Sequence, residues 1–509
     1  MYNSKIIALS PLKVWMVLGA ILLMRLFYLH VVPLQLVPDE AYYWDWSRHL
    51  DIGYFSKPPL VAWLIHLSTE LFGINEFGVR FFAPVLATAS VGMVFLLARD
   101  LFGEGAALLA SLFSIMTPGN AALSTIMTID PPLVFFGSAC LFFLWRAVTT
   151  SNKFLYFFLS GLCMGLGILS KQIMLIYLFL VPVFLLWEKD TRKELSSPSF
   201  FLFLLLSLIG LFLPLYWNFT HHWVTFQETA HHFEGNGSLL MAVKTFFEYV
   251  GGQLFLITPL IALSLYYVII KSLVIIKTMD RRERFLFIFG VLPLLGFLIM
   301  SLRQRINANW PALFYPPAII LLGGWICKGK DNFLKRLQQG YVKGALVVAL
   351  LFVMATYASP FIFSISPLSG SHLDPLRRAR GWKEMARGVE KVYKKEYPSF
   401  SPLYIFTDRR QVASEMAFYM SFHPWVYKWD RTPHVIKDQY ELWGTPFKSH
   451  INILMIFRRG EDISPLMSWF EKIISLTEVK RPLGGGRYRL YNVFLGYNFK
   501  ARRRIVTSP

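Results

Sequence analysis

Residues 12–60 read LKVWMVLGAILLMRLFYLHVVPLQLVPDEAYYWDWSRHLDIGYFSKPPL. The apolar run Leu12–Val32 is about as long as a bilayer is thick. It ends at Pro33 and not at a small-residue cleavage pattern, so it reads as a retained anchor. The next stretch, residues 33–79, is too long and too aromatic for a plain connector. Asp39-Glu40 opens it, and Tyr42, Tyr43, Trp44 and Trp46 come next, rings that favour the headgroup level of a membrane. Lys57-Pro58-Pro59 then leads into an amphipathic stretch, Leu60–Phe72, suited to lying in the interface.

Outward from this segment, runs of similar character recur. They fall near residues 80–98, 106–117, 131–147, 154–169, 172–187, 200–218, 251–270, 285–301, 310–327 and 344–366. With the first, that makes eleven, within a range of about 11–13 spans. Of the 509 residues 55% are hydrophobic and 16% charged, against about 25% charged in a soluble protein. A soluble enzyme, a disordered chain and a fibrous protein are excluded, and no internal repeat is found.

Charge divides the chain. Residues 1–366 carry 26 Lys+Arg and 18 Asp+Glu, and residues 367–509 carry 25 and 13. The first part reads as membrane domain and the second as a basic, water-soluble domain suited to anionic headgroups; no nucleic-acid-binding motif is present. With the N-terminus inside, cytoplasmic stretches hold 18 Lys+Arg, and the opposite stretches before residue 367 hold seven. This asymmetry and an odd number of spans put residues 367–509 outside, in a bacterium the periplasm. Cys140, Cys163 and Cys327 all lie in apolar runs, so no disulfide framework or thiolate metal site is expected.

Residues 367–509 read as α/β. The pattern predicts helices over 381–396, 411–422 and 466–474 and strands over 402–407, 451–457 and 488–495, with a turn at Gly484-Gly485-Gly486. The triple glycine lacks the flanks of a phosphate loop.

Two acids and a lysine stand at the outer mouth of the spans. They are Asp39 with Glu40, Asp130 in MTIDPPLVFF, and Lys57. An acid there takes a proton from an acceptor hydroxyl or amine, and a lysine holds a phosphate as a point charge. Each has a structural alternative. Asp39 and Asp130 suit helix starts, Glu40 a solvated surface and Lys57 a snorkelling anchor. Lys171, between two spans, is either a further phosphate contact or a polar turn. Arg25 inside the first run reads as a paired or snorkelling side chain. His221-His222 and His231-His232, on an expected loop over 219–250, are metal candidates or solvated residues.

These residues resemble a known family. Asp-Glu in the first outer loop, Lys-Pro-Pro further along it and Asp in the second outer loop are similar to polyprenyl-phosphate-sugar-dependent GT-C glycosyltransferases, among them protein O-mannosyltransferases and the lipid A aminoarabinose transferase. RQRINANWPALFYPP (303–317), TDRRQVASEMAFYMSFHPWVY (407–427) and DQYELW (438–443) resemble bacterial members. The resemblance implies a polytopic GT-C fold with an outer soluble α/β domain, in a bacterial inner membrane with its active site facing the periplasm. It implies Asp39 as catalytic acid, Lys57 as holder of the lipid-linked phosphate, Asp130 as the second-loop acid, and Arg303 and Arg305 near donor phosphate or sugar. Where the aminoarabinose type has a Glu assigned to metal, before the Lys of Lys-Pro-Pro, this chain has Ser56. The departure counts against a metal at this loop and against aminoarabinose as the sugar; no cofactor is assigned, and a divalent metal is the alternative.

The implied reaction is transfer from a polyprenyl-phosphate sugar to a cell-envelope glycolipid such as lipid A, with a protein hydroxyl as the alternative acceptor. Such a donor has its leaving group at the bilayer surface and needs a cation for the departing phosphate and an acid for the nucleophile's proton. A transporter or flippase would instead place ionisable residues at the midplane, in two matching halves. A membrane-anchored binding protein would leave the loop 33–79 without a purpose.

Overall fold

The computed structural model describes residues 11–231, 238–329, 340–399, 403–429, 436–444 and 449–500. Among these, ten helices are long and apolar enough to cross a membrane, and Leu60–Phe72, Glu104–Ile115 and Gln172–Trp187 are shorter apolar helices. Their outer faces leave large side chains uncovered, such as Leu23, Phe179, Phe212, Val274 and Leu351, all at least 60% exposed, as a lipid-facing surface requires. The protein is a polytopic α-helical membrane protein with a C-terminal α/β domain. The chain forms two compact units. One comprises residues 1–30, 57–61 and 80–357, the other 31–56, 62–79 and 358–509.

In the helical unit, the helices Lys153–Ser170 and Pro198–Thr220 approach through glycines. A Cβ on Gly210 would sit 2.5 Å from the Cα of Gly165. Only small residues allow backbones this close, the usual basis of helix contact in lipid. The approach fixes the end of Lys153–Ser170 and so the place of Lys171, which comes directly after it in extended conformation.

Between residues 219 and 270 the structure corrects the expected layout. Among the described residues, 219–250 is not one long loop and 251–270 is not one span. The chain forms the helices Val224–His231, Leu239–Leu256 and Pro259–Ile275. The break falls at Thr258, which precedes a proline and takes φ 74°; a residue before proline is driven out of the α region.

The helix ends sort onto two faces. Asp130 and Val148 lie at opposite ends of the helix Asp130–Thr149. Arg281 Nη2 donates to the Val148 carbonyl at 3.1 Å, so the helical run Arg281–Met300 starts at the Val148 end and finishes at the Asp130 end. Thr245 Oγ1 donates to the Ser301 carbonyl (2.7 Å) and Gln253 Nε2 to that of Ala308 (3.2 Å). Both halves of the Leu239–Leu256 helix thus engage the Asp130 face. The Val148 face holds the ion pairs Arg284–Glu188, Arg146–Asp100, Lys153–Glu194 and Lys328–Asp280. Of the 18 basic residues counted in the cytoplasmic stretches, Lys330, Lys335 and Arg336 lie outside the described residues.

The second unit contains a five-stranded mixed sheet. Its strands are β1 Leu403–Thr407, β2 Val426–Lys428, β3 Asn452–Arg458, β4 Lys472–Gly484 and β5 Arg487–Tyr497, in the order β2-β1-β3-β5-β4. β1 runs parallel to β2 and β3, and β5 antiparallel to β3 and β4. The helix expected over 466–474 is reduced to Ser464–Met467, and Ile473 and Ile474 belong to β4. The reason is non-local: β4 is an edge strand held along its length by β5, and its Ile, Thr and Val fit a pleated surface. Gly484, Gly485 and Gly486, at φ 97°, 55° and 74°, make the hairpin turn, a left-handed backbone open to glycine.

Candidate active site

In the helical unit, Asp130 begins its helix ahead of Pro131 and Pro132 and is buried. Lys171 Nζ reaches Oδ1 at 2.8 Å, and Asn309 Nδ2 reaches Oδ2 at 2.7 Å. Both carboxylate oxygens therefore already accept a donor, and the helix start favours the negative charge. Asp130 and Asn309 lie on the wall of a cavity of about 240 Å³ that is otherwise mostly apolar, with Val91, Val94, Val134 and Leu256. Its polar wall includes Asn120, which accepts from the Nη2 of Arg25 at 2.5 Å, while Arg25 Nη1 donates to Thr88 at 2.9 Å. Arg25 is thus a paired residue.

In the other unit, the helix Pro38–Ser47 carries Asp39 and Glu40 in its first turn. Glu40 is fully buried and its Oε2 accepts the Val37 N–H at 3.0 Å, the reach-back of a capping box. Asp39 is different: its side chain is 53% exposed, and one oxygen accepts from Arg410 Nη2 at 3.0 Å. Arg410 also lies over the Tyr42 ring, 4.8 Å from its centroid.

The buried face of this helix meets DQYELW (438–443). The Tyr42 hydroxyl accepts the Gln439 N–H at 2.6 Å, the Tyr440 hydroxyl donates to Asp45 Oδ2 at 2.6 Å, and Gln439 Oε1 accepts the Phe55 N–H at 2.7 Å. Burial pushes Asp45 up to about 6 against the pull of Arg48 and Tyr440. Burial, with Arg48 beside it, lowers His49 to about 4.

Lys57 is half-buried. Arg303 and Arg305 are exposed, and Arg305 Nε is 3.6 Å from Glu248. His221 stacks on Trp217 with centroids 4.1 Å apart, and His232 lies outside the described residues. Among the described residues no three His, Cys, Asp or Glu side chains converge as a metal site.

Residues 56–217 match the family model described as dolichyl-phosphate-mannose-protein mannosyltransferase. The lipid A galacturonosyltransferase RgtD of Rhizobium johnstonii is 26% identical over 62% of this chain and 65% of its own length. An undecaprenyl phosphate-alpha-4-amino-4-deoxy-L-arabinose arabinosyl transferase of Pseudomonas paraeruginosa is 32% identical over 39% of each chain. The matched stretches therefore span less than two thirds of these relatives. ArnT from Cupriavidus metallidurans in the apo state shares the fold, with TM-score 0.63 and 15% identity over 95% of this chain and 98% of that one. In sequence and in fold the chain is thus similar to membrane glycosyltransferases that use lipid-linked sugars.

Two residues of these clusters had no role assigned to them from the sequence. Asn309 stands in the Asn-Trp-Pro of the stretch 303–317, whose resemblance to bacterial members carried no role for it, although an amide beside a buried acid is a natural partner. Arg410, inside TDRRQ, carried no signal of its own, because its partner Asp39 is 371 residues away.

Proposed function

We propose that this protein transfers a sugar from a polyprenyl-phosphate donor to a phosphorylated cell-envelope glycolipid of the lipid A type, at the periplasmic face of a bacterial inner membrane. The observation that carries this reading is the mostly apolar cavity whose polar wall includes Asp130 and Asn309, with Lys171 held on Asp130. A mostly apolar site with a few fixed polar groups suits a lipid chain that ends in a charged head. In functional terms we assign residues 1–366 to donor handling and catalysis and residues 367–509 to an outer soluble domain.

The chemistry is set by the reactants. The acceptor oxygen attacks the sugar's anomeric carbon, the bond from that carbon to the phosphate oxygen breaks, and polyprenyl phosphate leaves with the electron pair. Asp39, with one carboxylate oxygen held and the other open, takes the acceptor's proton. Lys57 stabilises the departing phosphate, while Lys171 and Asn309 orient Asp130. Arg303 and Arg305, exposed near the Asp130 end, are auxiliary donor contacts in this scheme.

The test uses the purified full chain in nanodiscs with undecaprenyl-phosphate-linked sugars and either lipid A or a Ser/Thr-rich peptide, with products read by mass spectrometry. Sugar on lipid A that is lost in Asp39→Asn, by about 10²–10⁴ in rate, supports the reading. Sugar on the peptide alone would shift the acceptor to protein, the acceptor in the matching family model's description. Wild-type turnover by Asp39→Asn removes Asp39 from the mechanism.

A further inference from the structure

A second cavity, of about 440 Å³, lies wholly within the unit that contains the sheet, a volume in the range of ligand sites. Arginines from three neighbouring strands meet there: Arg458 of β3, Arg489 of β5 and Arg481 of β4. Arg481 and Arg489 stand directly opposite each other in the β4–β5 register, and like charges so placed disfavour the sheet. Arg409 and Arg410 add the start of the helix Arg410–Tyr419, whose first turn no side chain caps. Arg377 and Arg378 complete the wall.

The charge is only partly answered. Arg409 pairs with Asp408 and Glu461, and Arg410 with Asp39. Arg481 is buried, stacked 3.4 Å from the Trp382 ring centroid, and donates to the carbonyls of Arg377, Arg378 and Arg380, with the buried Glu415 as a nearby countercharge. It holds the wall rigid. Among the described residues Arg377, Arg378, Arg458 and Arg489 have no carboxylate partner. A rigid wall, several unanswered guanidinium forks and an uncapped helix start together are a phosphate-binding arrangement. Among the described residues Asp39 is the one acid on the wall.

We propose that this cavity holds the phosphate-bearing headgroup of the acceptor glycolipid and thereby delivers its nucleophile to Asp39. The inference rests on the glycosyltransferase function proposed for this chain and adds the residues that select an anionic acceptor. Arg458 and Arg489 grip phosphate by paired hydrogen bonds.

The experiment measures acceptor kinetics and equilibrium binding on the full chain in nanodiscs, with diphosphorylated lipid A and its dephosphorylated form as probes. The expected result for Arg458→Gln and Arg489→Gln is a rise in acceptor KM of roughly tenfold or more each, with donor KM and the kcat at saturation within about twofold of wild type. Arg458→Lys, which keeps charge but not the fork, falls between. Dephosphorylated lipid A should bind poorly to wild type and no worse to the variants. An unchanged acceptor KM in both Gln variants, with normal thermal unfolding, overturns the proposal while leaving transfer intact. Arginine-dependent, salt-sensitive binding of lipid A by a protein that transfers nothing overturns the transferase reading instead. Equal binding of inorganic pyrophosphate with no preference for lipid A, or arginine-dependent binding of an acidic peptide alone, overturns the assignment of the ligand.

Discussion

At the scale of the residue, the two candidate acids are held in opposite ways. Asp130 has both oxygens occupied by Lys171 and Asn309, and the side chains of Asp130 and Lys171 are 7% and 12% exposed. Removing one member of a buried pair strands the other's charge. Lys171→Met is therefore expected to cost about 3–5 kcal/mol of stability, and adding Asp130→Asn should recover most of it. Thermal unfolding of the two variants checks this, and a double variant no better than the single would show that the charge is not the cause. Lys57 calls for a different measurement. If it holds the departing phosphate, Lys57→Ala should lose roughly 10- to 150-fold in turnover, and Lys57→Arg should keep part, since charge remains while geometry changes. A snorkelling lysine would make both substitutions mild and equal. Asp39, Lys57, Asp130 and Lys171 were each legible as polar residues in apolar or aromatic surroundings. The arginine cavity was not, because its members are scattered between residues 377 and 489 and only the sheet brings them to one wall.

At the scale of the element, the helix Pro38–Ser47 carries a titratable group on its buried side. Asp45 is held above its unfolded value, so its proton stabilises the fold fully below 3.8, and that contribution is lost as pH rises through about 6. His49 has the opposite sign: held down at about 4, it stabilises above 6.5, and that contribution is lost as pH falls toward 4. Comparing Asp45→Asn with wild type at each pH keeps His49 common to both. The variant should gain at pH 7.5, by at most about 3 kcal/mol at 1.36 kcal/mol per pKa unit, less what Arg48 loses with its partner, and the gain should shrink toward pH 4.5. A difference in unfolding temperature that is constant across pH would show that Asp45 does not titrate in this window. Element identity was legible where periodicity is local, as in the spans and in β1, β3 and β5. It failed at 466–474, where pairing with β5 decided, and at 251–270, where Thr258-Pro259 divides a run that hydropathy alone reads as continuous.

At the scale of the whole molecule, the number of crossings sets the side of the soluble domain. The Leu239–Leu256 helix is long enough to span, yet both its halves bond to connections on the Asp130 face. Left out of the crossings, it preserves the odd number expected from sequence. Alkaline phosphatase fused after Gly370 should then be active, and a reporter that works only in the cytoplasm should be silent there. The reverse pattern would invert the orientation and move the proposed site to the cytoplasmic side.

The bond between Tyr42 and Gln439 joins residues 397 apart in the chain. During synthesis at about 5–20 residues per second, the second partner emerges roughly 20 to 80 s after the first. Trp44 and Trp46, at most 1% exposed in the finished fold, wait that long without the segment that completes their surroundings. The first loop is thus made early in synthesis and is among the last parts to settle. A pause or truncation late in translation would therefore damage a region made at its beginning.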